Sequence, residues 1–279
     1  MIKNKRIAIF GGAGSIGSEL VRQLASDNKI FIYDQNETGS FDLREELQQK
    51  GFWVHSRTGD IRDKESVNDL FSDFKPQIIF QAAALKHVTP NEEYPEEAVQ
   101  TNIVGNMNVL RAAKKWSSTE KFVYISTDKV INSNSVMGAT KKVGEIMTKN
   151  SGKGYIAVRF GNVLGSRGSV IPLWQAQIDR GEDLTVTHKD MTRFFMTIPE
   201  AVNLVIEAAE KGKGGEIYIL DMGEQINILN LAHDIIRKSG KRVGVKMIGI
   251  RPGETLHESL MSIEEQNKSK KVGKFYVIK

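Results

Sequence analysis

The sequence contains no cysteine among its 279 residues and only 6 prolines. The absence of cysteine excludes disulfide bonds, a thiolate nucleophile and metal sites with thiolate ligands. The scarcity of proline excludes a collagenous or proline-rich linker protein. Long hydrophobic runs are missing too, since none approaches the ~20 apolar residues that a membrane span requires. With 40% apolar and 26% charged residues, the composition is typical of a globular protein.

The net charge of +5 reflects a mild basic excess spread along the chain. A short basic cluster comprises Lys268, Lys270, Lys271 and Lys274. Because it lacks interleaved aromatics, it indicates a solvated surface rather than a nucleic-acid site. The N-terminus lacks the apolar stretch of a signal peptide. We therefore expect a cytoplasmic protein that binds an anionic small molecule, with no nucleic-acid partner and no metal site.

Short runs rich in β-branched and aromatic residues alternate with helical patterns. The runs are at 6–10, 30–33, 77–80, 121–125 and 155–160. This alternation predicts an α/β fold, a Rossmann-type doubly wound parallel sheet buried on both faces. We expect residues 1–160 to form the Rossmann domain and residues 161–279 a smaller C-terminal substrate-binding lobe. The segment around 198–222 is expected to return to the Rossmann domain.

A glycine-rich turn follows the first predicted strand and opens a helix. Its residues assigned to a cofactor are Gly11, Gly14, Ser15, Ile16 and Gly17. Missing side chains let such a turn approach a pyrophosphate at the helix N-terminus. Asp34 ends the second predicted strand, where a carboxylate accepts hydrogen bonds from a ribose diol. We expect Asp34 to favour NAD over NADP, because it repels a 2′-phosphate; a turn-capping role is the alternative.

Further cofactor contacts are expected after the third and fourth predicted strands. Asp60, followed by Ile61, stands where a side chain reaches the adenine, and its alternative role is the N-cap of the next helix. Ala82, Ala83 and Ala84 have small side chains where backbone must pass close to a cofactor. These alanines are equally compatible with simple packing.

The fifth predicted strand ends in Ser126-Thr127-Asp128-Lys129. The carboxyl ends of strands are where open parallel sheets bind ligands. An acid and a base therefore reach one cleft, and Asp128 and Lys129 could supply the general acid and base of an elimination. A solvated turn is the alternative.

Met137 and Lys141 have the spacing of the Tyr-x-x-x-Lys pair of short-chain dehydrogenases, with methionine in place of tyrosine. A thioether cannot exchange a proton. This pair alone therefore indicates a binding protein without a catalytic base, whereas Asp128 and Lys129 indicate an enzyme.

Long matching segments extend across nearly the whole chain. They are GGAGSIGSEL, QAAALKHV, ISTDKVINSNSVMGATK, RFGNVLGSRGSVIP, DMTRFFMTIPEA, YILDMGE and RPGETLHE. On these segments the sequence resembles the sugar-nucleotide 4,6-dehydratases of the extended short-chain dehydrogenase/reductase superfamily. More narrowly, it resembles the UDP-N-acetylglucosamine 4,6-dehydratases of capsule and glycan biosynthesis. The methionine at position 137 resembles the C5-retaining branch.

Many relatives in that branch carry an N-terminal membrane region, which this sequence lacks. A naturally short enzyme, a partner that provides membrane contact and an excised catalytic domain are the alternatives.

The resemblance implies that bound NAD takes a hydride from sugar C4 and returns it to C6 after water has left. Lys129 is the expected base at C5, and Asp128 the acid that protonates the C6 hydroxyl. Lys141 is expected to orient the nicotinamide ribose. With Met137 in place of tyrosine, the acceptor of the C4 hydroxyl proton stays open. Thr127 is a candidate relay to Asp128 or to water.

The resemblance also implies a set of residues that bind the UDP-sugar. These are Lys86, His87, Asn162, Val163, Arg167, Arg193, Arg251 and Glu254. Amide and guanidinium groups match phosphate oxygens, so Asn162, Arg193 and Arg251 are expected at the diphosphate. Glu254 is expected at the uridine ribose. The alternatives are structural ion pairs for the arginines and a helix-capping role for Glu254.

The helical patterns at 96–115 and 136–150 correspond to a four-helix interface in the superfamily, which implies a homodimer or a higher homo-oligomer. Two other functions remain as alternatives. One is a UDP-sugar 4-epimerase or reductase on the same fold, which Asp128 and Lys129 disfavour. The other is a noncatalytic NAD- and UDP-sugar-binding protein, which is equally compatible with Met137.

Overall fold

The computed structural model describes residues 1–131 and 133–279. Strands are short and recur along the whole chain. In chain order they are β1 (Arg6–Phe10), β2 (Lys29–Asp34), β3 (Val54–Thr58), β4 (Ile78–Gln81), β5 (Lys121–Ile125), β6 (Tyr155–Arg159), β7 (Asn162–Val163), β8 (Leu184–Val186), β9 (Thr192–Arg193), β10 (Phe195–Met196), β11 (Glu216–Leu220), β12 (Ile226–Asn227), β13 (Val245–Met247), β14 (Lys270–Val272) and β15 (Phe275–Ile278).

Helices alternate with these strands through most of the chain. They are α1 (Ser15–Leu24), α2 (Glu37–Gln48), α3 (Lys64–Phe74), α4 (Val88–Glu93), α5 (Pro95–Ala98), α6 (Asn106–Lys115), α7 (Val136–Lys149), α8 (Val170–Asp179), α9 (Ile198–Lys211), α10 (Ile228–Ser239) and α11 (Ile263–Lys268). Within residues 1–131 and 133–279, no helix combines the length and apolarity needed to cross a membrane.

A nine-stranded sheet forms the centre of the molecule, in the order β14-β15-β11-β6-β5-β4-β1-β2-β3. The pairs from β11 to β3 are parallel, and β15 is antiparallel to both β11 and β14. Strand order reverses between β1 and β4, where a crevice opens at the carboxyl ends of the strands. The predicted α/β class and doubly wound parallel sheet are confirmed.

Both faces of the sheet are covered, which explains why its strands are nearly continuous apolar runs. One face packs against α1, α2 and α9, with Leu20, Leu43 and Val205 fully or almost fully buried. The other face packs against α3 and α6, with Phe71 and Val109 in its core. The site at the carboxyl edge therefore rests on a sheet that is fixed from both sides.

A third, smaller apolar core joins α8, β8 and α10 and includes Trp174, Leu184 and Ala232. The chain returns to the large sheet between the elements of this core, where β11 lies beside β6, and again after them, where it ends as β15. The sequence places the last residues in the smaller lobe, yet β14 and β15 belong to the large sheet. A division at residue 160 stays a prediction.

The helical pattern predicted at 96–115 forms three consecutive helical pieces. Between α5 and α6 the chain makes a π-helix over Val99–Gly105. Asn102, within it, accepts a hydrogen bond from Leu85 N at 2.8 Å and donates to Leu85 O at 3.0 Å. The π-helix is thus hydrogen-bonded, through Asn102, to the chain segment that follows β4.

A buried ion cluster attaches the C-terminal segment to the sheet. Arg159, at the end of β6, is fully buried and donates to Glu145 at 2.8 and 2.9 Å. It also donates to Glu265 of α11 at 2.8 Å and to Leu260 O at 2.9 Å. Burial opposes ionisation of Glu265, but Arg159 lowers the pKa of Glu265 to about 2.

Arg159→Met is expected to lower the free energy of unfolding by about 3–5 kcal/mol, because it leaves the buried Glu145 carboxylate without its partner. Denaturant unfolding measures the change. Arg180→Met is the control, since Arg180 forms an exposed pair with Glu182 that adds little stability. A loss from Arg159→Met no larger than that of the control would contradict the assignment.

Candidate active site

The glycine-rich turn lies between β1 and α1 and touches the backbone that follows β4. Gly11 has φ +76°, and a Cβ there would stand 2.5 Å from Ala83 N. Only glycine permits this approach, which brings the two turns of the crevice together. Gly14 is the N-cap of α1, and Ala13 N donates to Asp34 Oδ2 at 2.9 Å. Asp34 therefore also fastens the turn to β2.

A cavity of about 230 Å³ opens over this turn. It collects most of the residues that the sequence assigns to a cofactor: Gly11, Gly14, Asp34, Asp60, Ile61, Ala82, Ala83 and Ala84. Tyr33, Gln35, Asn36 and Thr101 line it as well and were not predicted. Ser15 lines a neighbouring cavity of about 480 Å³. Ile16 packs against the core, and Gly17 is buried within α1.

The turn after β5 carries the candidate catalytic side chains. Ser126 N donates to Val158 O at 2.8 Å and Asp128 N donates to Phe160 O at 3.1 Å, so the turn is held against β6. Asp128–Val130 then form a 3-10 turn. Thr127 Oγ1 donates to Asp128 Oδ1 at 2.9 Å. The Asp128 carboxylate is buried, whereas Thr127 is partly exposed.

Helix α7 presses against this turn. Ser135 caps it by accepting a hydrogen bond from Gly138 N at 3.1 Å. A Cβ on Gly138 would stand 2.2 Å from Lys129 O, so glycine is required for this close contact. Met137 is buried in the first turn of α7.

Lys141 follows Met137 by one helical turn and is buried. Its Nζ donates to Ile125 O and lies 4.2 Å from the centre of the Tyr124 ring. Burial lowers the pKa of Lys141 to about 7, against a smaller opposing effect of Glu145. In this structure Lys141 therefore contacts the end of β5, and its proposed contact with a nicotinamide ribose is untested.

Lys129 is the centre of an ion cluster. Its Nζ lies 3.1 Å from Asp128 Oδ1, 3.2 Å from Asn162 Oδ1 and 2.9 Å from Glu258 Oε1. The same Glu258 oxygen is 3.1 Å from Arg193 Nε. Glu258 was not among the predicted site residues, although the matching segment RPGETLHE ends with it. That segment was the signal that could have identified it.

Burial and charge act in opposite directions on this cluster. Burial opposes ionisation of Asp128, but the Lys129 ammonium holds the pKa of Asp128 below its usual range. Burial also disfavours the ammonium, yet Asp128 and Glu258 raise the pKa of Lys129. In the free protein Lys129 is thus charged and bound on three sides, and it must lose a proton before it can act as a base.

The predicted diphosphate residues lie in different environments. Asn162 contacts Lys129, and its neighbour Val163 is buried in the short β7–β10 pair. Arg193 donates to Leu256 O at 3.1 Å and Thr255 O at 2.9 Å as well as binding Glu258, which matches the alternative of a structural ion pair. A diphosphate role for Arg193 stays a prediction.

Arg251 is exposed on the loop before α11. Its backbone N donates to Glu254 Oε2 at 3.2 Å, so Glu254 closes a local turn. The structure therefore keeps these two residues together but does not join them to the Lys129 cluster, and their predicted contacts to diphosphate and ribose are untested.

Lys86 and His87 meet a loop that crosses the mouth of the crevice. Lys86 Nζ donates to Arg167 O at 2.7 Å, and Arg167 N donates to Ser15 Oγ at 3.1 Å. His87 packs against Gly168 of the same loop. Burial lowers the pKa of Lys86, and the charges of Arg167 and Lys129 lower it further. The positive charges of Lys86 and Arg167 suit an anionic ligand.

The sheet order, with the glycine turn at the strand reversal beside a cavity lined by Asp34 and Asp60, defines a Rossmann-type α/β fold. A sequence profile described as "Polysaccharide biosynthesis protein" matches residues 7–279. The chain belongs to the polysaccharide biosynthesis protein family.

Named relatives include the capsular polysaccharide biosynthesis protein CapD of Staphylococcus aureus, 43% identical over 99% of this chain and 48% of CapD. The chain thus spans about half the length of that relative. The UDP-glucose 4-epimerase of Rickettsia canadensis is 36% identical over 100% of this chain and 84% of its own length.

Solved structures share the fold. Pen from Bacillus thuringiensis is 34% identical with a TM-score of 0.92, covering 99% of this chain and 88% of Pen. The UDP-glucose 4-epimerase of Thermus thermophilus, solved in complex with NAD, is 24% identical with a TM-score of 0.80, covering 93% of this chain and 91% of its own. At that identity the likeness shows the fold alone.

Proposed function

We propose that this protein binds NAD and catalyses 4,6-dehydration of a UDP-sugar to a UDP-4-keto-6-deoxy sugar. UDP-N-acetylglucosamine is the expected substrate, and capsule or other glycan biosynthesis the expected use. The observation that carries the proposal is the cluster of Thr127, Asp128 and Lys129 at the carboxyl end of β5, the strand beside β4, whose following residues line the cavity. Asp128 lies within hydrogen-bond distance of both the Thr127 hydroxyl and the Lys129 amine, and an acid and a base so placed are the groups that an elimination requires.

The residues around the cavity fit NAD. The turn at Gly11 has no room for a Cβ, so its backbone is free to meet a pyrophosphate. Asp34 and Asp60 line the same cavity, where carboxylates accept hydrogen bonds from hydroxyls. Relatives solved with NAD have the same fold, which supports the proposal.

When bound, NAD supplies reversible oxidation at sugar C4, which acidifies the C5 hydrogen. The chain's residues move the protons. Lys129 removes the C5 proton, and Asp128 protonates the C6 hydroxyl as it leaves as water. Met137 takes no part in proton exchange, because a thioether has no transferable proton. The surrounding positive charge of Lys86 and Arg167 favours the anionic diphosphate.

A 4-epimerase is the second candidate, because a relative that covers the whole chain is named UDP-glucose 4-epimerase. Such an enzyme oxidises C4 and leaves C6 unchanged, and a reductase on this fold also leaves the C6 hydroxyl in place. The acid and base at Asp128 and Lys129 favour the dehydratase. Noncatalytic binding of NAD and a UDP-sugar is the remaining alternative, consistent with the buried Met137.

Incubation of the protein with UDP-N-acetylglucosamine and NAD is expected to yield a product lighter by one water. Mass spectrometry of the nucleotide fraction measures this change. An unchanged mass would contradict the dehydratase, and NMR of the recovered sugar would then separate epimerisation from binding without reaction.

NAD(H), rather than NADP(H), is expected to accompany the purified protein. NADP(H) is disfavoured because the negative charge of the Asp34 carboxylate at the cavity repels a 2′-phosphate. Chromatography of the nucleotides released by denaturation identifies the cofactor. Recovery of chiefly NADP(H) would show that Asp34 does not face the adenosine ribose.

Lys129→Met is expected to bind the UDP-sugar but to lose dehydration by about 10²–10⁴-fold, because the amine that removes the C5 proton is gone. In D₂O the variant should incorporate no deuterium at C5. Asp128→Asn should release water more slowly as well, because an amide cannot protonate the departing C6 hydroxyl.

Lys149→Met, at the far end of α7, is the matched control and should retain both activities. Near-normal dehydration by Lys129→Met would remove Lys129 as the base, and His87 would be the next residue to test.

Association of two or more copies is also a proposal. Val143 and Ile146 lie on one face of α7 with exposed side chains, and Val99 at the start of the π-helix is exposed too. Exposed apolar side chains on neighbouring helices support burial against a second copy.

A further inference from the structure

Glu258 enters the active site from a distant part of the sequence. It lies in the loop between β13 and α11, and its side chain is only 5% exposed. Arg193 fixes this loop through Thr255 O and Leu256 O, and Gln225 Nε2 donates to Glu258 O at 2.7 Å. The carboxylate is therefore held in place independently of any substrate.

A hydrogen-bonded path connects this buried carboxyl with the partly exposed hydroxyl of Thr127. Thr127 Oγ1 donates to Asp128 Oδ1 at 2.9 Å, and Lys129 Nζ donates to the same Asp128 oxygen at 3.1 Å. Lys129 Nζ also donates to Glu258 Oε2 at 3.1 Å. Lys129 Nζ touches both carboxyls. Protons can thus pass among all four groups without entering solvent.

The proposed dehydration requires two protons to be held at the same time. One leaves the C4 hydroxyl when C4 is oxidised, and no tyrosine is present at position 137 to take it. The other leaves Lys129, which must become neutral before it removes the C5 proton. A single carboxylate accepts one proton. Asp128 alone is therefore insufficient.

We propose that Glu258 is the second proton acceptor of this site, so that Asp128 and Glu258 together hold the C4 hydroxyl proton and the Lys129 proton until C5 is deprotonated. This inference rests on the proposed function. Glu258 acts through Asp128 and Lys129 and is therefore a positioning residue.

The proton balance closes over one turnover. The C4 hydroxyl proton reaches Asp128 through Thr127, and the Lys129 proton passes to Glu258. Lys129 then takes the C5 proton, and Asp128 gives one proton to the C6 oxygen, which leaves as water. Lys129 returns its proton to C5, and Glu258 gives its proton back to Lys129. The carboxyls thus gain two protons and lose two.

The charges around Glu258 suit this role. Burial raises the pKa of Glu258 to about 7, with Asp128 raising it and Lys129 and Arg193 lowering it. His257, its neighbour in the chain, turns to Thr192 Oγ1 at 2.9 Å. Because Glu258 accepts a proton only as a carboxylate, kcat should increase as pH rises through the pKa of this group.

The decisive experiment compares pH profiles of wild type, Glu258→Gln and Glu258→Asp with UDP-N-acetylglucosamine and NAD. We expect Glu258→Gln to lower kcat by about 10²–10⁴-fold, to leave KM nearly unchanged and to lose the rise of kcat near neutral pH. Glu258→Asp should retain the rise at reduced kcat. Glu264→Gln, on the exposed side of α11, is the control and should match wild type.

A measurement on wild type alone covers the case in which Glu258→Gln fails to fold. With ¹³C-labelled glutamate, infrared spectra should show a labelled carboxylic acid band that disappears between about pH 6 and about pH 8. Absence of this band, or a Glu258→Gln enzyme with wild-type kcat and pH profile, would overturn the role of Glu258. The proposed dehydratase function would still stand. If wild type releases no water from any UDP-sugar, the proposed function fails and the role of Glu258 in dehydration fails with it.

Discussion

The geometry of the candidate site depends on the contacts between the Lys129 ammonium and the acceptors around it. Three acceptors surround it, and they come from the turn after β5, from β7 and from the loop before α11. Each acceptor is itself buried or held by further hydrogen bonds. Separating one of them from Lys129 would leave a charge in a poorly solvated place, which costs several kcal/mol. The charge therefore draws remote segments into a single arrangement.

Two buried arginines secure the segment that completes this arrangement. Arg193 binds the backbone at Thr255 and Leu256, and Arg159 binds Leu260 O and Glu265. Between these points the chain passes from the small apolar core back to the large sheet. Buried ion pairs add little net stability over apolar packing, but each breaks at high cost when one partner moves. Here they define where Glu258 lies, and hence which charges Lys129 meets.

In the proposed mechanism, the methionine at position 137 changes the path that protons take. A tyrosine there would exchange protons directly, whereas Met137 is buried and inert. Nearby groups have pKa values displaced toward neutrality, with burial lowering that of Lys141 to about 7 and raising that of Glu258 to about 7. Groups with such values exchange protons readily at neutral pH. The site that lacks the tyrosine thus contains two other groups, Lys141 and Glu258, that exchange protons near neutral pH.

The sequence by itself determined the α/β class, the parallel sheet, the glycine turn and the placement of Asp128 and Lys129 at a strand end. Those features follow from local patterns, because side-chain periodicity and turn chemistry act over a few residues. The sequence did not predict the π-helix at 99–105, the return of β14 and β15 to the large sheet, or Glu258 in the site. These three features are decided only by the tertiary structure. Glu258 lies 129 positions from Lys129 along the chain, and its contact depends on ion pairs between segments that no local pattern joins.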